Sequence, residues 1–383
     1  MNRLLWLLMV FSTIVQAMDW QVHGFASQGY LNSNGNSFYG NSREGTWLLR
    51  EAGVNLSWRP EPRLSFAVQG LVRQAGEHDI PPMALDYAFL GLTLTSNLDH
   101  QGELLLGRVK LPLGFYNETR DVAVTRPSIL LPQSIYFDRT RDLALSADGL
   151  MWLSDYQGGA GRWQVKFGLL RPRVKDREVE FALFNQDLPG ELDPGALWIG
   201  KIQYESDMGG WRAALSTLRA DGRYRGSEAF PAGEVRFLPV VLSLALERER
   251  LGITGEFALR PVRYRGFTAT PFEDMSVTGE SYYLQGTWRL GSRFKLLGRY
   301  DHLMVDRSDA EGRRYAQQTG EPAHLRYARD WTLGVSLEWS NDWRLQVERH
   351  WIDGTAWLTS RDRAQSDLMR RWGLWALMLA YRF

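Results

Sequence analysis

The last twelve residues, WGLWALMLAYRF, alternate with a period of two. Trp375, Leu377, Leu379, Tyr381 and Phe383 form one large apolar face, and Leu374, Ala376, Met378, Ala380 and Arg382 a smaller, mixed one. That period is a strand's, with one oily face. A soluble domain that ends on an exposed aromatic strand leaves a fraying terminus and an open, aggregation-prone edge. A barrel closed in a membrane removes both problems, because lipid takes the apolar face and the last strand pairs with the first.

The other terminus agrees. Asn2-Arg3 is a short basic start, Leu4 to Phe11 an apolar run, and Val15-Gln16-Ala17 offers small residues for cleavage. The pattern predicts a secretory signal peptide over residues 1–17, and a barrel over residues 18–383. No other segment approaches the ~20 apolar residues a membrane helix needs. Cysteine is absent, so an exported chain has no disulfide to hold it, and a closed hydrogen-bond ladder is the substitute. Mean hydropathy is negative, which excludes a helical membrane protein and suits a barrel whose alternate residues meet lipid. Sixteen Trp supply aromatic girdles.

Strand patterns recur along the whole chain with no dividing linker. They fall at Asp19–Leu31, Thr46–Arg59, Arg63–Gln74, Met83–Thr95, Gly102–Lys110, Arg141–Leu153, Arg162–Arg171 and Ala196–Glu205. The series continues at Trp211–Arg219, Arg236–Arg248, Gly252–Arg263, Glu280–Leu290, Arg293–Val305, Asp330–Ser340, Trp343–Asp353 and the terminal segment. Tight turns such as Pro60-Glu61-Pro62 and Gly291-Ser292 alternate with long polar loops. In WTLGVSLEW, Trp331, Leu333, Val335, Leu337 and Trp339 point one way, and Thr332, Gly334, Ser336 and Glu338 the other. Aromatics at both ends of an apolar stretch fit a lipid-facing strand with two girdle positions. The expected fold is all-β, a transmembrane antiparallel barrel of about sixteen strands.

The terminal Phe strand resembles that of Gram-negative outer-membrane barrels, in which it acts as an insertion signal. The segment GRVKLPLGFYNETRDVAVTRPSILLPQSIYFDRTRD, Gly107–Asp142, resembles porin-like outer-membrane proteins, including relatives of the phosphate-selective group. The resemblance to the general porins implies that Leu111–Thr140 folds inward as a constriction loop. It also implies a homotrimer, embedded in outer-membrane lipid and lipopolysaccharide.

That loop carries Arg120, Arg126, Arg139 and Arg141, with Arg108 and Lys110 at the preceding strand end. Glu118, Asp121, Asp138 and Asp142 oppose them. Pro112, Pro127 and Pro132 stiffen it. Mixed charge on a rigid loop sets a transverse field across a pore, and the competing reading is a set of salt bridges that anchor the loop. Tyr116, Tyr136 and Phe137 either stack sugars or pack the loop on the wall. On the wall, parity turns Arg63, Arg73, Lys166, Arg212, Arg289, Arg293, Lys295 and Arg299 inward, beside Glu256, Asp301, Glu338 and Glu348. The positive excess predicts a weak anion preference. Arg349 breaks parity and is expected to snorkel at the outer rim.

Of 45 basic residues only Lys110, Lys166, Lys175, Lys201 and Lys295 are Lys, and permanently charged Arg suits pore walls as well as a GC-rich genome. The six His are dispersed without metal-ligand spacing, and no hydrolase elbow or phosphate loop occurs. A barrel lipase or protease, built on Ser336 or Ser281 with a nearby His, is the alternative, as is a plugged structural barrel. The expected function is passive diffusion of small hydrophilic or anionic solutes, with no cofactor and no nucleic-acid partner.

Overall fold

The computed structural model describes residues 20–77, 83–138, 141–174, 177–186, 188–207, 209–364 and 367–383. The expected signal peptide and Arg139 lie outside these residues. Among them, eighteen hydrogen-bonded segments form a single sheet that closes on itself. Two pairs of segments are halves of one strand each, so the barrel has sixteen strands.

In chain order these are β1 (Trp20–Asn34), β2 (Thr46–Glu61), β3 (Leu64–Ala75), β4 (Ala84–Ser96), β5 (His100–Lys110), β6 (Ser146–Gly158) and β7 (Gly161–Pro172). Next come β8 (Glu191–Asp193 and Leu197–Ser206), β9 (Trp211–Arg225), β10 (Gly233–Phe237 and Val240–Glu247), β11 (Leu251–Gly266) and β12 (Ser276–Leu290). The last four are β13 (Phe294–Met304), β14 (Tyr327–Glu338), β15 (Trp343–Gly354) and β16 (Arg371–Arg382). Every neighbouring pair is antiparallel, and β1 pairs with both β2 and β16. Breaks in β8 and β10 fall at Pro194 and Pro239, which have no N–H to give the ladder. Alternation continues through the break in β10, with Val235 and Val241 both buried inward.

Closure at the seam is completed by the final residue. The Gly24 N–H donates to the Phe383 carbonyl at 3.1 Å, and the Phe383 N–H donates back at 3.0 Å. The Phe383 ring lies over Gly24, where any side chain would collide with it. Outside, aliphatic residues such as Val54, Leu242, Leu333 and Val335 are exposed between two aromatic rings. At the short-turn end Trp20 stacks on Trp58 at 5.1 Å, and Trp343 meets Tyr381 at 4.6 Å. At the long-loop end Tyr30 meets Trp47 at 4.9 Å, and Tyr300 meets Trp331 at 4.7 Å. An exposed apolar band with aromatic rims is a lipid-facing surface.

Several placements differ from the sequence reading. Arg141–Ala144 is a short helix, α1, and β6 begins only at Ser146, because Arg141 and Leu143 are still held by the inward loop. The connection after β7 contains helix α2 (Glu178–Phe184). Arg63 and Arg293 sit in exposed turns at the short-turn end and are not wall residues.

Candidate functional site

After Lys110 the chain enters the barrel and crosses it repeatedly before leaving at α1. Apolar residues fix its path first. Leu111 and Leu113 pack on the inner wall against Met151, Leu170, Ile199 and Leu218. Ala123, Ile129 and Leu130 pack on the opposite side against Leu374, Ala376, Met378 and Ala380. The small inner face of β16 is therefore covered from Leu374 to Ala380, not wet. Its apolar character, in a strand whose other face is apolar as well, is explained by this cover.

Between these two contacts lies a knot around Glu256 of β11, which is 3% exposed. Its carboxylate accepts from the Phe115 N–H at 2.9 Å, the Tyr136 hydroxyl at 2.6 Å, the Tyr283 hydroxyl at 2.8 Å and the Ser243 hydroxyl. No cation lies within 4.0 Å of it among the described residues. Gly114 passes directly over this site with φ +65°; a Cβ there would stand 2.6 Å from the Tyr136 hydroxyl and 2.8 Å from Glu256 Oε1. Only glycine suits both the conformation and the space. The Gly114 carbonyl accepts from Lys201 at 2.8 Å, and its N–H donates to Ser216 Oγ at 2.8 Å. Burial, and then the Glu256 charge, push the Tyr136 phenol well above its ordinary pKa, so it stays a donor.

Across the lumen the loop is held by ions. Arg126 pairs with Glu51 of β2 at 2.9 Å, and Arg73 of β3 lies 3.5 Å from Glu51 and 3.6 Å from Asp138. Arg120, which is 4% exposed, pairs with Asp138 at 2.8 Å and donates to the Tyr136 carbonyl. Tyr39, from the loop after β1, donates to Asp138. At the loop's base Asp121 takes Lys110 at 2.8 Å and Arg141, while Lys110 also meets Asp86 at 2.5 Å. Burial alone would raise the Asp138 pKa; Arg73, Arg120 and Arg141 overcome this and hold it at about 2. Asp121, equally buried, is held well below the carboxylate range by Arg141 and Lys110.

Other wall residues complete the ring of contacts. Lys166 pairs with Glu118 at 2.6 Å. Arg299 donates to Ser128 Oγ and to the Leu130 carbonyl, both at 3.0 Å. Glu348 accepts the Ile129 N–H at 2.6 Å, and Asp301 accepts that of Ser134 at 3.4 Å.

Most charges expected to line a pore are thus consumed in holding the loop. Arg108 is not in the lumen at all. It shares the outward face of β5 with Leu106, donating to Asp148 at 2.9 Å and to the Leu85 carbonyl at 3.0 Å. Arg289 and Lys295 do line the lumen below the loop, as direct cross-strand neighbours. Neither has a carboxylate within 4.0 Å among the described residues, whereas Arg212 has Glu247 at 3.6 Å and Arg344 has Glu338 at 2.7 Å. Arg349 faces outward between Trp351 and Trp375, at 5.6 and 5.2 Å from their rings.

Sequence reasoning missed Glu51, Asp86, Tyr39 and Tyr283 as loop anchors. Glu51 and Asp86 are lone acids at inward positions of apolar strands, and that was the available signal. Above the loop, at the long-loop end, lies a vestibule cavity of about 1320 Å³ bounded by the connections after β7, β11, β13 and β15.

The architecture matches solved porins. The anion-selective porin from Comamonas acidovorans superposes with a TM-score of 0.59 at 11% identity, covering 96% of this chain and 100% of that one. The trimer form of OmpT, an outer membrane protein of Vibrio cholerae, gives 0.57 at 12% identity, covering 96% and 100%. Salmonella typhi OmpF gives 0.60 at 9% identity, covering 95% and 97%. No protein-family profile and no curated protein sequence matches the chain. At these identities the likeness is one of fold: a closed sixteen-strand barrel of the outer-membrane porin type.

Proposed function

We propose that the chain is an outer-membrane porin, a passive channel for small hydrophilic solutes with a weak preference for anions. The observation that carries this reading is the loop of residues 111–138, folded into a closed porin-type barrel and stitched to its inner wall by hydrogen bonds and ion pairs. A loop so placed narrows the lumen to the space it leaves. Arg289 and Lys295, adjacent like charges without carboxylate partners, favour anions in that space. Residues 1–17 serve as the signal peptide that exports the chain.

Planar-bilayer recording tests the proposal. Discrete conductance steps, with a reversal potential displaced toward the anion potential in a KCl gradient, are expected. Silent bilayers with folded protein would overturn it. The double variant R289Q/K295Q should move the reversal potential toward cations. R120Q and R126Q should not, since those guanidinium groups are buried in pairs.

The assembly we propose is a homotrimer. Arg349 and Arg50 face outward, Arg50 bonded to Gln74 at 2.8 Å, with Gln28 beside it. A charge facing lipid costs ~0–1 kcal/mol near the interfaces and more toward the midplane, so a subunit interface over β15, β16 and β1–β3 suits these groups better than lipid. Light scattering of the detergent-extracted protein should give three copies.

A barrel hydrolase is less well supported. Ser281 Oγ accepts from Arg260 at 2.6 Å, and Ser336 Oγ takes the Gln346 amide at 3.5 Å. His350, bonded to Asp330 at 2.9 Å, is wholly buried beneath the loop. Lipase and protease assays on purified protein should show neither activity.

A further inference from the structure

The vestibule differs in chemistry from the rest of the interior. Its wall toward β9–β12 is an aromatic cluster in which Phe184 of α2 meets Phe272 edge-on at 5.2 Å and Tyr264 at 5.7 Å. The Tyr264 hydroxyl is occupied, donating to the Leu183 carbonyl at 2.6 Å, so that wall offers ring surface and no spare donors. Below the cluster, on the same face of β11, stands Arg260. Its Nη2 donates to Ser281 Oγ at 2.6 Å and the Met304 carbonyl at 3.3 Å, and its Nε has no hydrogen-bond partner. Among the described residues no carboxylate lies within 4.0 Å of it. Gly279 makes the room, since a Cβ there would stand 3.2 Å from Nη2 and 3.3 Å from Nε. A second guanidinium, that of Arg326, lines the same cavity, stacked on Tyr315 at 4.8 Å and likewise without a carboxylate. Four acids also line the cavity on the loop side: Asp306 and Asp309 are engaged with the backbone N–H groups of Ser308 and of Arg314 and Tyr315, Asp367 pairs with Arg43 at 3.2 Å, and Glu321 is exposed.

We infer that this vestibule binds an organic monoanion with an aromatic body: rings against Phe184, Phe272 and Tyr264, carboxylate on Arg260 with Arg326 beside it. A planar guanidinium matches a carboxylate edge to edge, and buried rings recover the apolar surface of such a solute. A sugar would leave its hydroxyls unmatched on the aromatic wall. A dianion would meet Asp306 and Asp309 with its second charge. The inference deepens the channel reading and rests on it for its purpose, which is to concentrate such solutes above the narrowed lumen.

Calorimetry on the folded, detergent-solubilised barrel tests it, with 2-naphthoate, 2-naphthol, acetate and inorganic phosphate as probes. 2-Naphthoate should bind, 2-naphthol about tenfold more weakly, and the two small anions without measurable heat. R260Q should weaken naphthoate about tenfold. G279A, which keeps the charge but crowds the guanidinium, should weaken it less, and R326Q provides a third variant should either fail to fold. Equal binding of acetate or phosphate, or unchanged naphthoate affinity in folded R260Q, would overturn the inference. Bilayer recording of the same preparation separates the two ideas. Conductance without naphthoate binding removes the vestibule site and leaves the channel; binding with silent bilayers removes the channel and leaves the site.

Discussion

The inward loop is fastened on two sides of the barrel by different physics. At β11 a single buried carboxylate, Glu256, gathers four neutral donors. At β2 and β3 a chain of alternating charges, Arg126, Glu51, Arg73, Asp138 and Arg120, does the same work. The neutral-donor site is a hub: its four partners converge on one residue, and three of them have hydroxyl groups aimed at one point. The ionic site is a chain, in which each acid has two or more basic partners. A hub fails when its centre is removed, whereas a chain loses one link at a time.

The largest expected effect is therefore at the hub. Glu256→Ala strands three hydroxyls, two of them on tyrosines that cannot reach water, and leaves the Phe115 N–H with the Tyr136 hydroxyl alone. The cost should be about 3–5 kcal/mol of stability, the range for removing the centre of a buried polar cluster. Urea unfolding of the detergent-solubilised barrel measures the loss. Single-channel records should become noisy as Gly114–Tyr136 detaches. A quiet channel of wild-type stability would mean that the apolar contacts alone hold the loop.

Arg126→Ala should cost less, about 3 kcal/mol, the lower end of the range for breaking a buried pair. Glu51 keeps Arg73 at 3.5 Å, and Asp138 keeps Arg120 and Arg73. If this variant proves as damaging as loss of Glu256, the ionic side is a hub as well, and the two fastenings do not differ.

Acid separates the two sides by charge. Asp138 is buried, yet Arg73, Arg120 and Arg141 hold its pKa at about 2, below the ordinary 3.8. A depressed carboxylate stabilises the fold fully above its ordinary pKa and loses that contribution as pH falls through the folded value. Asp121 shifts in the same direction. The ionic fastening should stay intact from neutral pH down to about 4, and loosen between about 3 and 2. Current noise recorded across that range checks the window, and loosening near pH 5 would contradict it.

The barrel was legible because its rule is local. Alternation can be read within one strand, and Trp331 and Trp339 occupy the two rims that their spacing implied. The same rule failed at Arg63 and Arg293, where the strands begin one residue later than their charge suggested, whereas Arg108, assigned to the constriction by its place at the strand end, lies outside as its parity with exposed Leu106 requires. The loop's inward path was implied only by resemblance, since no local pattern in 111–138 says which wall it meets. Its anchors are distant in sequence: Tyr136 and Glu256 are 120 positions apart, and Ile129 and Glu348 are 219. One non-local hint was present. Leu374, Ala376, Met378 and Ala380 are apolar on the side of β16 that should have been wet, and a dry inner face requires something to cover it.

The smallest effect probes the hub itself. Tyr283→Phe removes one donor of four and leaves the ring, so Glu256 keeps Tyr136, Ser243 and the Phe115 N–H. Loss of a single hydrogen bond to a charged group is worth about 1.5–3 kcal/mol when the acceptor is left bare, and about 1 kcal/mol when others remain. The lower figure is expected here, with conductance and noise unchanged, because the loop's own donors to Glu256 come from Phe115 and Tyr136 while Tyr283 belongs to the wall. Tyr136→Phe is the matched control, since it deletes a donor carried by the loop and also the hydroxyl that accepts the Phe115 and Tyr116 N–H groups. It should be the noisier and less stable of the two. Equal behaviour in both would show that Glu256 stiffens the barrel wall and does not fasten the loop.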